Sequence, residues 1–462
     1  MTAAPTAARA LADWAVALRF EDLHSGVRHA VCRHLLDGVG NAVGGRRLGL
    51  VAPARAVAEG LGGPPEARVL TGTNAISAPA AALATGALVH ALDFDDTHGQ
   101  ALVHATSVVL PTALAVGQQT RATGAQVVTA AAAGLETACR IGAAVPHGFH
   151  ARGIHATAAV GPLAASVTAG LLLGLGADTI VDALGVAGSS SGGLLEFLDT
   201  GADTKTLHPG TASMAGIVAT RLAAAGARGP DSVLEGRRGL WATLTDATPD
   251  VAVVTGGLGE RWEATRIGIK PYPSCQLMHV SLDALAALLG EVGGVEVGTV
   301  ARIEVHVHPD SIPIVCEQRD GGRPRSTYDA KFDLAWSVAA LLIDGAVTVD
   351  TYTDASIARP EVAALAQRVE VVERSAPVPA ADAGGDVRVV LSDGTTHRGT
   401  VASSRGTAAT PLSDDELVRK LVRNTGDHPD AVQLGEEVLG LAEAPSLDRL
   451  LELAAHCAIP RP

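Results

Sequence analysis

Lys270-Pro-Tyr-Pro-Ser-Cys275 is the point at which the character of this chain changes. Pro271 and Pro273 each remove a backbone donor and push the residue before them out of the helical region, so no helix runs through the segment. On its N-terminal side the pattern is helical. Thr6–Leu18, Val108–Gln118, Ala125–Ala144 and Met214–Ala225 have helical length and alanine content, with glycine-rich breaks between them. On its C-terminal side a helix is expected from His279 to Leu289. Val300–His308 then alternates apolar and polar residues as a strand does. An amphipathic helix is expected over Asp329–Leu342. Strands are expected at Val369–Val372 and within Asp386–Val401, the latter folded at a hairpin turn, Asp393-Gly394. These strands are expected to be antiparallel. Beyond residue 405 helices return, and Ser413 with Glu416 has capping-box spacing.

The expectation is a mainly α protein: a large all-helical domain from residues 1–266 and 406–462, with a smaller α+β domain, 267–405, inserted as a lid. A length of 462 residues suits two cores rather than one. Hydrophobic residues make up 47% and charged residues 18%, which excludes a disordered chain. Aromatics are only 3%, so the core must be built from closely packed small-residue helices. The net charge of −14 argues against nucleic acid or an anionic membrane as partner. An anionic substrate would then need a local cationic site.

Cys32, Cys139, Cys275, Cys316 and Cys457 are odd in number, widely spaced and form no CxxC, so neither a disulfide framework nor a zinc ribbon is expected. The start of the chain lacks the apolar run of a signal peptide. Ala158–Ala177 is uncharged over a length that could span a bilayer, but Pro162, Ser166 and Thr168 favour a buried helix. A cytoplasmic location is expected.

Four segments carry chemistry. His90-Ala-Leu-Asp93-Phe-Asp95-Asp96-Thr97-His98, followed by His104, crowds acids and imidazoles into an apolar region. The three aspartates could hold Mg²⁺, but no second acidic motif is found to complete such a site. Alternatively they orient histidine and threonine for proton transfer, with Asp95 and Asp96 tying helices. His147, His150, Arg152 and His155 precede a long apolar helix, whose N-terminus favours an anion. Gly188-Ser-Ser-Ser-Gly-Gly193 can offer backbone N–H groups, and the following Asp203-Thr-Lys205-Thr-Leu-His208 supplies a fixed positive charge. Lys270-Pro-Tyr-Pro-Ser274-Cys275 is followed by His279. Taken singly, each reads as a surface loop or a satisfied core residue.

Taken in order, His90-Ala-Leu-Asp-Phe-Asp-Asp-Thr97, His104, Gly153-Ile-His155, Thr204-Lys205-x-Leu-His208 and Lys270-Pro-Tyr-Pro-Ser-Cys275 resemble the MmgE/PrpD family over nearly the whole chain. That family includes 2-methylcitrate dehydratase, cis-aconitate decarboxylase and iminodisuccinate epimerase. The resemblance implies a homodimer with an active site in an interdomain cleft, and neither metal nor organic cofactor. It implies catalytic roles for His104, Lys205, His155, His279 and Asp93. Thr97, His208, Lys270 and Ser274 are the expected substrate-binding residues. His104 is expected as general acid or base, Lys205 and His155 as carboxylate binders, and His279 as a second donor. Asp93 is expected to orient a histidine. Three departures stand out: Ile312-Pro-Ile-Val-Cys316 has no tyrosine where cis-aconitate decarboxylase keeps one, Ala105 replaces a usual proline, and Thr206 does likewise.

The expected function is a cofactor-independent hydro-lyase that moves a proton at a carbon next to a carboxylate of a small di- or tricarboxylate, as in 2-methylcitrate dehydration. The alternatives are an isomerase epimerising an iminodisuccinate-like acid, a cis-aconitate-type decarboxylase, or a catalytically silent structural dimer.

Overall fold

A computed structural model describes residues 5–317, 320–378, 380 and 383–459, and its secondary structure is mainly α-helical. Contacts divide the chain into two compact units. One runs to Ile269 and resumes at Ser413; the other is Lys270–Leu412.

The first unit is a set of helices packed through small residues. Thr6 caps Ala7–Ala17 by accepting from the Arg9 N–H, and Thr123 with Gln126 forms a capping box at the start of Gly124–Ala143. Ser413 and Glu416 do the same for Asp414–Asn424. The uncharged stretch from Ala158 lies in Ala156–Leu172, which is buried from Ala156 to Gly170. No helix among the described residues is long and apolar enough to cross a membrane. The helix expected over Met214–Ala225 starts earlier, at His208.

Helix Ala78–His90 crosses helix His208–Ala224 at Gly86 and Gly210. A Cβ on Gly86 would stand 2.7 Å from the Gly210 Cα, and one on Gly210 only 2.1 Å from the Leu83 carbonyl oxygen. Backbone therefore rests on backbone, which only glycine permits at this distance. The consequence for the site is direct, because His90 ends one of these helices and His208 begins the other. Arg140 is fully buried and holds down the segment 253–261. Its guanidinium donates to the Glu136 carboxylate and to the carbonyls of Val253, Val254, Gly256, Gly257 and Arg261.

A short antiparallel pair in the first unit, β1 (Ala67–Arg68) and β2 (Ala75–Ile76), precedes the main sheet. That sheet, in the second unit, comprises β3 (Val300–Val307), β4 (Val369–Glu373), β5 (Gly385–Leu391) and β6 (Thr396–Val401), in the order β4-β3-β5-β6. The β5–β6 hairpin turns at Asp393-Gly394, with Gly394 at φ +88°. The expectation of antiparallel pairing fails at one edge: β3 and β4 run parallel. The connection between them spans more than 60 residues and carries its own helices, well beyond the roughly dozen residues a parallel crossover needs. The helix expected over Asp329–Leu342 is also broken. Asp333 accepts from the Trp336 N–H at 2.9 Å and caps Leu334–Asp344, leaving Asp329–Phe332 as a separate 3₁₀ turn.

Helix His279–Val292 lies on the sheet where glycine leaves room. A Cβ on Gly385 would stand 2.2 Å from the Val280 carbonyl oxygen, and one on Gly399 2.1 Å from that of Ala284. Leu282, Leu285, Ile303, Val305, Trp336 and Val387 form the core of this unit.

Candidate active site

The acidic turn after helix Ala78–His90 is the frame of the site. Asp93, Asp95, Asp96 and Thr97 are all buried. Asp93 has φ +51°, a left-handed conformation that aspartate tolerates better than most residues. The turn is anchored from three sides. Thr97 and Gly268 exchange backbone hydrogen bonds of 2.8 and 2.9 Å. Lys420 donates to the Phe94 carbonyl at 2.8 Å, with its ammonium over the Phe94 ring. Asp96 ties the start of helix Thr106–Thr120 by accepting from the Thr106 N–H and hydroxyl.

The expectation that Asp96 ties a helix is met. Asp95 holds His90, the last residue of helix Ala78–His90, with 2.7 Å between its carboxylate and Nδ1. The Asp93 Oδ1 accepts from the Lys205 ammonium at 2.7 Å. The 3₁₀ turn Thr204–Leu207 delivers Lys205 to that point, and the pair is buried. Two buried charges of opposite sign satisfy each other where neither could stand alone.

Three histidines converge beside this pair. His104 takes its position from the Thr157 hydroxyl, which accepts its backbone N–H at 3.0 Å. Its Nδ1 lies 2.9 Å from the Asp96 carbonyl oxygen and 3.2 Å from the Thr97 hydroxyl. His155 is the N-cap residue of Ala156–Leu172, and its N–H donates to the Gly193 carbonyl at 2.8 Å. The glycine/serine loop thus positions His155 through a carbonyl. His90 closes the group, its ring centroid 4.7 Å from that of His104 and 5.8 Å from that of His155. His208 stands behind His155 with 3.0 Å between the two Nδ1 atoms, a spacing that holds one shared hydrogen.

The electrostatics follow from burial. Burial pushes the His155 pKa well below the usual imidazole value, and the nearby charges of Lys205, His90 and His104 add to the effect. Burial likewise lowers His150 to about 4, with Lys205 contributing, and His208 to about 4, with His90 and Lys205 contributing. His155, His150 and His208 are therefore neutral at pH 7. His34 goes the other way. Burial works to lower it, yet the Asp96 carboxylate 2.8 Å away raises its pKa.

Of the residues singled out in the sequence, Asp93, Thr97, His104, His155, Lys205 and His208 come together in the first unit. Lys270, Ser274 and His279 belong to the second. There His279 is buried, with Nε2 3.1 Å from the Ser274 carbonyl oxygen and its ring edge-on to Tyr272 at 5.4 Å between centroids. Lys270 and Ser274 are also buried. Arg152 pairs with Asp246 at the surface, and His147 reaches the Gly99 carbonyl, so neither belongs to the cluster.

Two residues gain a role only here. His90 and Asp95 stand inside the quoted motif, yet their spacing does not say that the ring turns towards His104 and His155. The Asp95–His90 contact is five residues apart across a helix end, and no periodic pattern marks it.

A mainly helical protein with buried imidazoles around a lysine–aspartate pair is the class that fold and site define. The chain belongs to the MmgE/PrpD family. The profile of the MmgE/PrpD N-terminal domain matches residues 9–251 and that of the MmgE/PrpD C-terminal domain residues 272–439. Among relatives, a cis-aconitate decarboxylase of Aspergillus terreus is 27% identical over 98% of this chain and 96% of its own length. The cis-aconitate decarboxylase of Homo sapiens is 28% identical over 74% and 72%. A cis-aconitate decarboxylase-like protein, oryM, of Aspergillus oryzae is 26% identical over 96% of each.

Proposed function

We propose that this protein is a lyase that moves a proton at a carbon adjacent to a carboxylate in a small di- or tricarboxylate. The observation that carries the reading is the convergence of His104, His155 and His90 on the buried Lys205–Asp93 pair. Removing a proton next to a carboxylate places negative charge on that carboxylate, which water stabilises poorly. A preorganised ammonium held by Asp93 meets that charge as it develops, without reorganisation. A neutral imidazole beside it accepts or returns the proton near neutral pH.

Lys205 and His155 bind the carboxylate in this scheme. His104 is the acid or base: the Asp96 carbonyl can only accept, so the hydrogen of a neutral ring sits on Nδ1 and Nε2 carries the lone pair. Thr97 and Asp96 hold that ring. The roles that the family resemblance implies for His208 and, in the second unit, for Lys270, Ser274 and His279 are proposals of the same kind. So are action without metal or organic cofactor, a homodimeric state, a lid role for the second unit and a cytoplasmic location.

Within the lyases, the reading is dehydration of a 2-methylcitrate-like hydroxy acid, because Ile312-Pro-Ile-Val-Cys316 carries no tyrosine. A second reading, decarboxylation of a cis-aconitate-like acid, is favoured by the names of the relatives. Incubation with a panel of such acids in D₂O, followed by mass spectrometry, separates them. Loss of water supports the first reading and loss of CO₂ the second. Deuterium gain without mass loss from the carbon skeleton would mean epimerisation instead. No binding or turnover of any di- or tricarboxylate would overturn the proposal and leave a silent structural protein.

A further inference from the structure

We propose that His90, His104 and His155 form a binding site for one divalent ion of the zinc class, and that the bound ion shuts out a carboxylate substrate. One ring nitrogen from each residue lies within 4.8 Å of the other two, and all three residues are buried. Three imidazoles with a fourth position open are a donor set that zinc accepts, at Zn–N distances of about 2.0–2.1 Å. Tetrahedral coordination at that distance sets the donors roughly 3.4 Å apart, so the rings need to draw together by about 1.4 Å at most.

Two of the three rings, His90 and His104, already hold the tautomer that ligation requires. A ligating imidazole presents a lone pair on one nitrogen while the other donates its hydrogen to a carboxylate or carbonyl. His90 Nδ1 faces the Asp95 carboxylate at 2.7 Å, and that group only accepts, which leaves the lone pair on Nε2. His104 Nδ1 faces the Asp96 carbonyl at 2.9 Å with the same result. Among the described residues, Nε2 of His90 and Nε2 of His155 have no hydrogen-bond partner. Buried polar atoms in that state are uncommon and call for an explanation. Lys205 opposes a second cation nearby, but Asp93, Asp95 and Asp96 on the adjoining turn offset it.

Ion binding rests on the ring geometry alone, whereas exclusion of carboxylate rests on the proposed function. The test uses the full chain, stripped with EDTA and titrated with Co²⁺, read by its visible absorption, and with Zn²⁺, read by calorimetry. A second cluster, His428, Asp430 and His456, also brings three donor atoms within 4.8 Å of one another and serves as the control. The expected result is one equivalent with a tetrahedral cobalt spectrum, weakened at least about 100-fold in H90Q and about 10–100-fold in D95N, and unchanged in H456Q. Thermal melting of each variant shows that it is folded. D95N keeps all three rings and guards against a collapse of H90Q. No binding, or binding that survives H90Q and D95N or disappears in H456Q, overturns the site. If a polycarboxylate is turned over, Zn²⁺ should abolish turnover and EDTA restore it; undiminished turnover with the ion bound overturns the exclusion. If no polycarboxylate is turned over, the function fails while the cobalt titration still decides the ion site.

Discussion

Replacing Lys205 by Met removes the charge that Asp93 faces at 2.7 Å while keeping most of the side-chain volume. At an effective dielectric of 20 that attraction is about 6 kcal/mol, much of it offset by the cost of burying both groups. Breaking one half of a buried pair typically costs about 3–5 kcal/mol, because the remaining charge stays unmatched. The carboxylate has an escape: it can take up a proton, which from an ordinary carboxyl pKa near 3.9 costs about 4 kcal/mol at pH 7. The K205M deficit should therefore be about 3–4 kcal/mol at pH 7 and shrink to about 1–2 kcal/mol at pH 5. The sign follows from linkage: the folded variant binds a proton that its unfolded chain releases in this window, so it gains as pH falls. D93N, which keeps a residue tolerant of the left-handed backbone, should return at least about 2 kcal/mol when combined with K205M. Turnover should fall about 100-fold or more in K205M and stay low in the double variant. Urea unfolding at pH 7 and pH 5, beside turnover on the identified acid, tests both halves. A double variant no more stable than K205M, or K205M turning over near the wild-type rate, would refute the reasoning.

Three further expectations follow. His150, with a pKa of about 4, stays neutral in the folded chain while the unfolded chain protonates below about 6.5, so it erodes stability as pH falls through that range. H150Q should thus gain on the wild type by up to about 1.4 kcal/mol per pH unit between pH 6.5 and 4, read by urea midpoints; parallel curves would contradict this. G210A forces a Cβ against the Leu83 carbonyl and should cost about 1–3 kcal/mol, with turnover down about 100-fold from misplacement near 1 Å. G60A, in open space on helix Ala52–Leu61, should instead raise the melting temperature, so equal effects in the two variants would sink the packing argument. R140M leaves the Glu136 carboxylate without its guanidinium partner and five carbonyls without their donor. It should lose at least about 3 kcal/mol and expose the segment 253–261 to limited proteolysis.

Much of the fold could be read locally because the signals are local. Thr6, the Thr123–Gln126 and Ser413–Glu416 boxes, and Asp393-Gly394 each act within four residues, and each marks an element end. Strand direction is not local: nothing in Val369–Glu373 says which way its neighbour runs, and β4 pairs parallel with β3. Asp333 was readable in principle as a cap, yet the apolar periodicity on both sides of it outweighed one polar residue. For the site, the ordered motifs pointed to the family and to Lys205, His104 and His155. They did not disclose that Asp93 answers Lys205, 112 residues away, or that Asp95 turns His90 inward. Those are properties of a converged backbone, which spacing along the chain does not encode.

The contact of Gly86 with Gly210 gives the site a fixed datum. The ends of two helices, at His90 and at His208, are gauged against peptide groups and not against the bulk of any side chain. Exchanging one aliphatic residue for another elsewhere in the core leaves that gauge alone. Laboratory stabilisation that swaps helical glycines for alanine, normally a gain, would here widen the gap between the imidazoles it was meant to preserve.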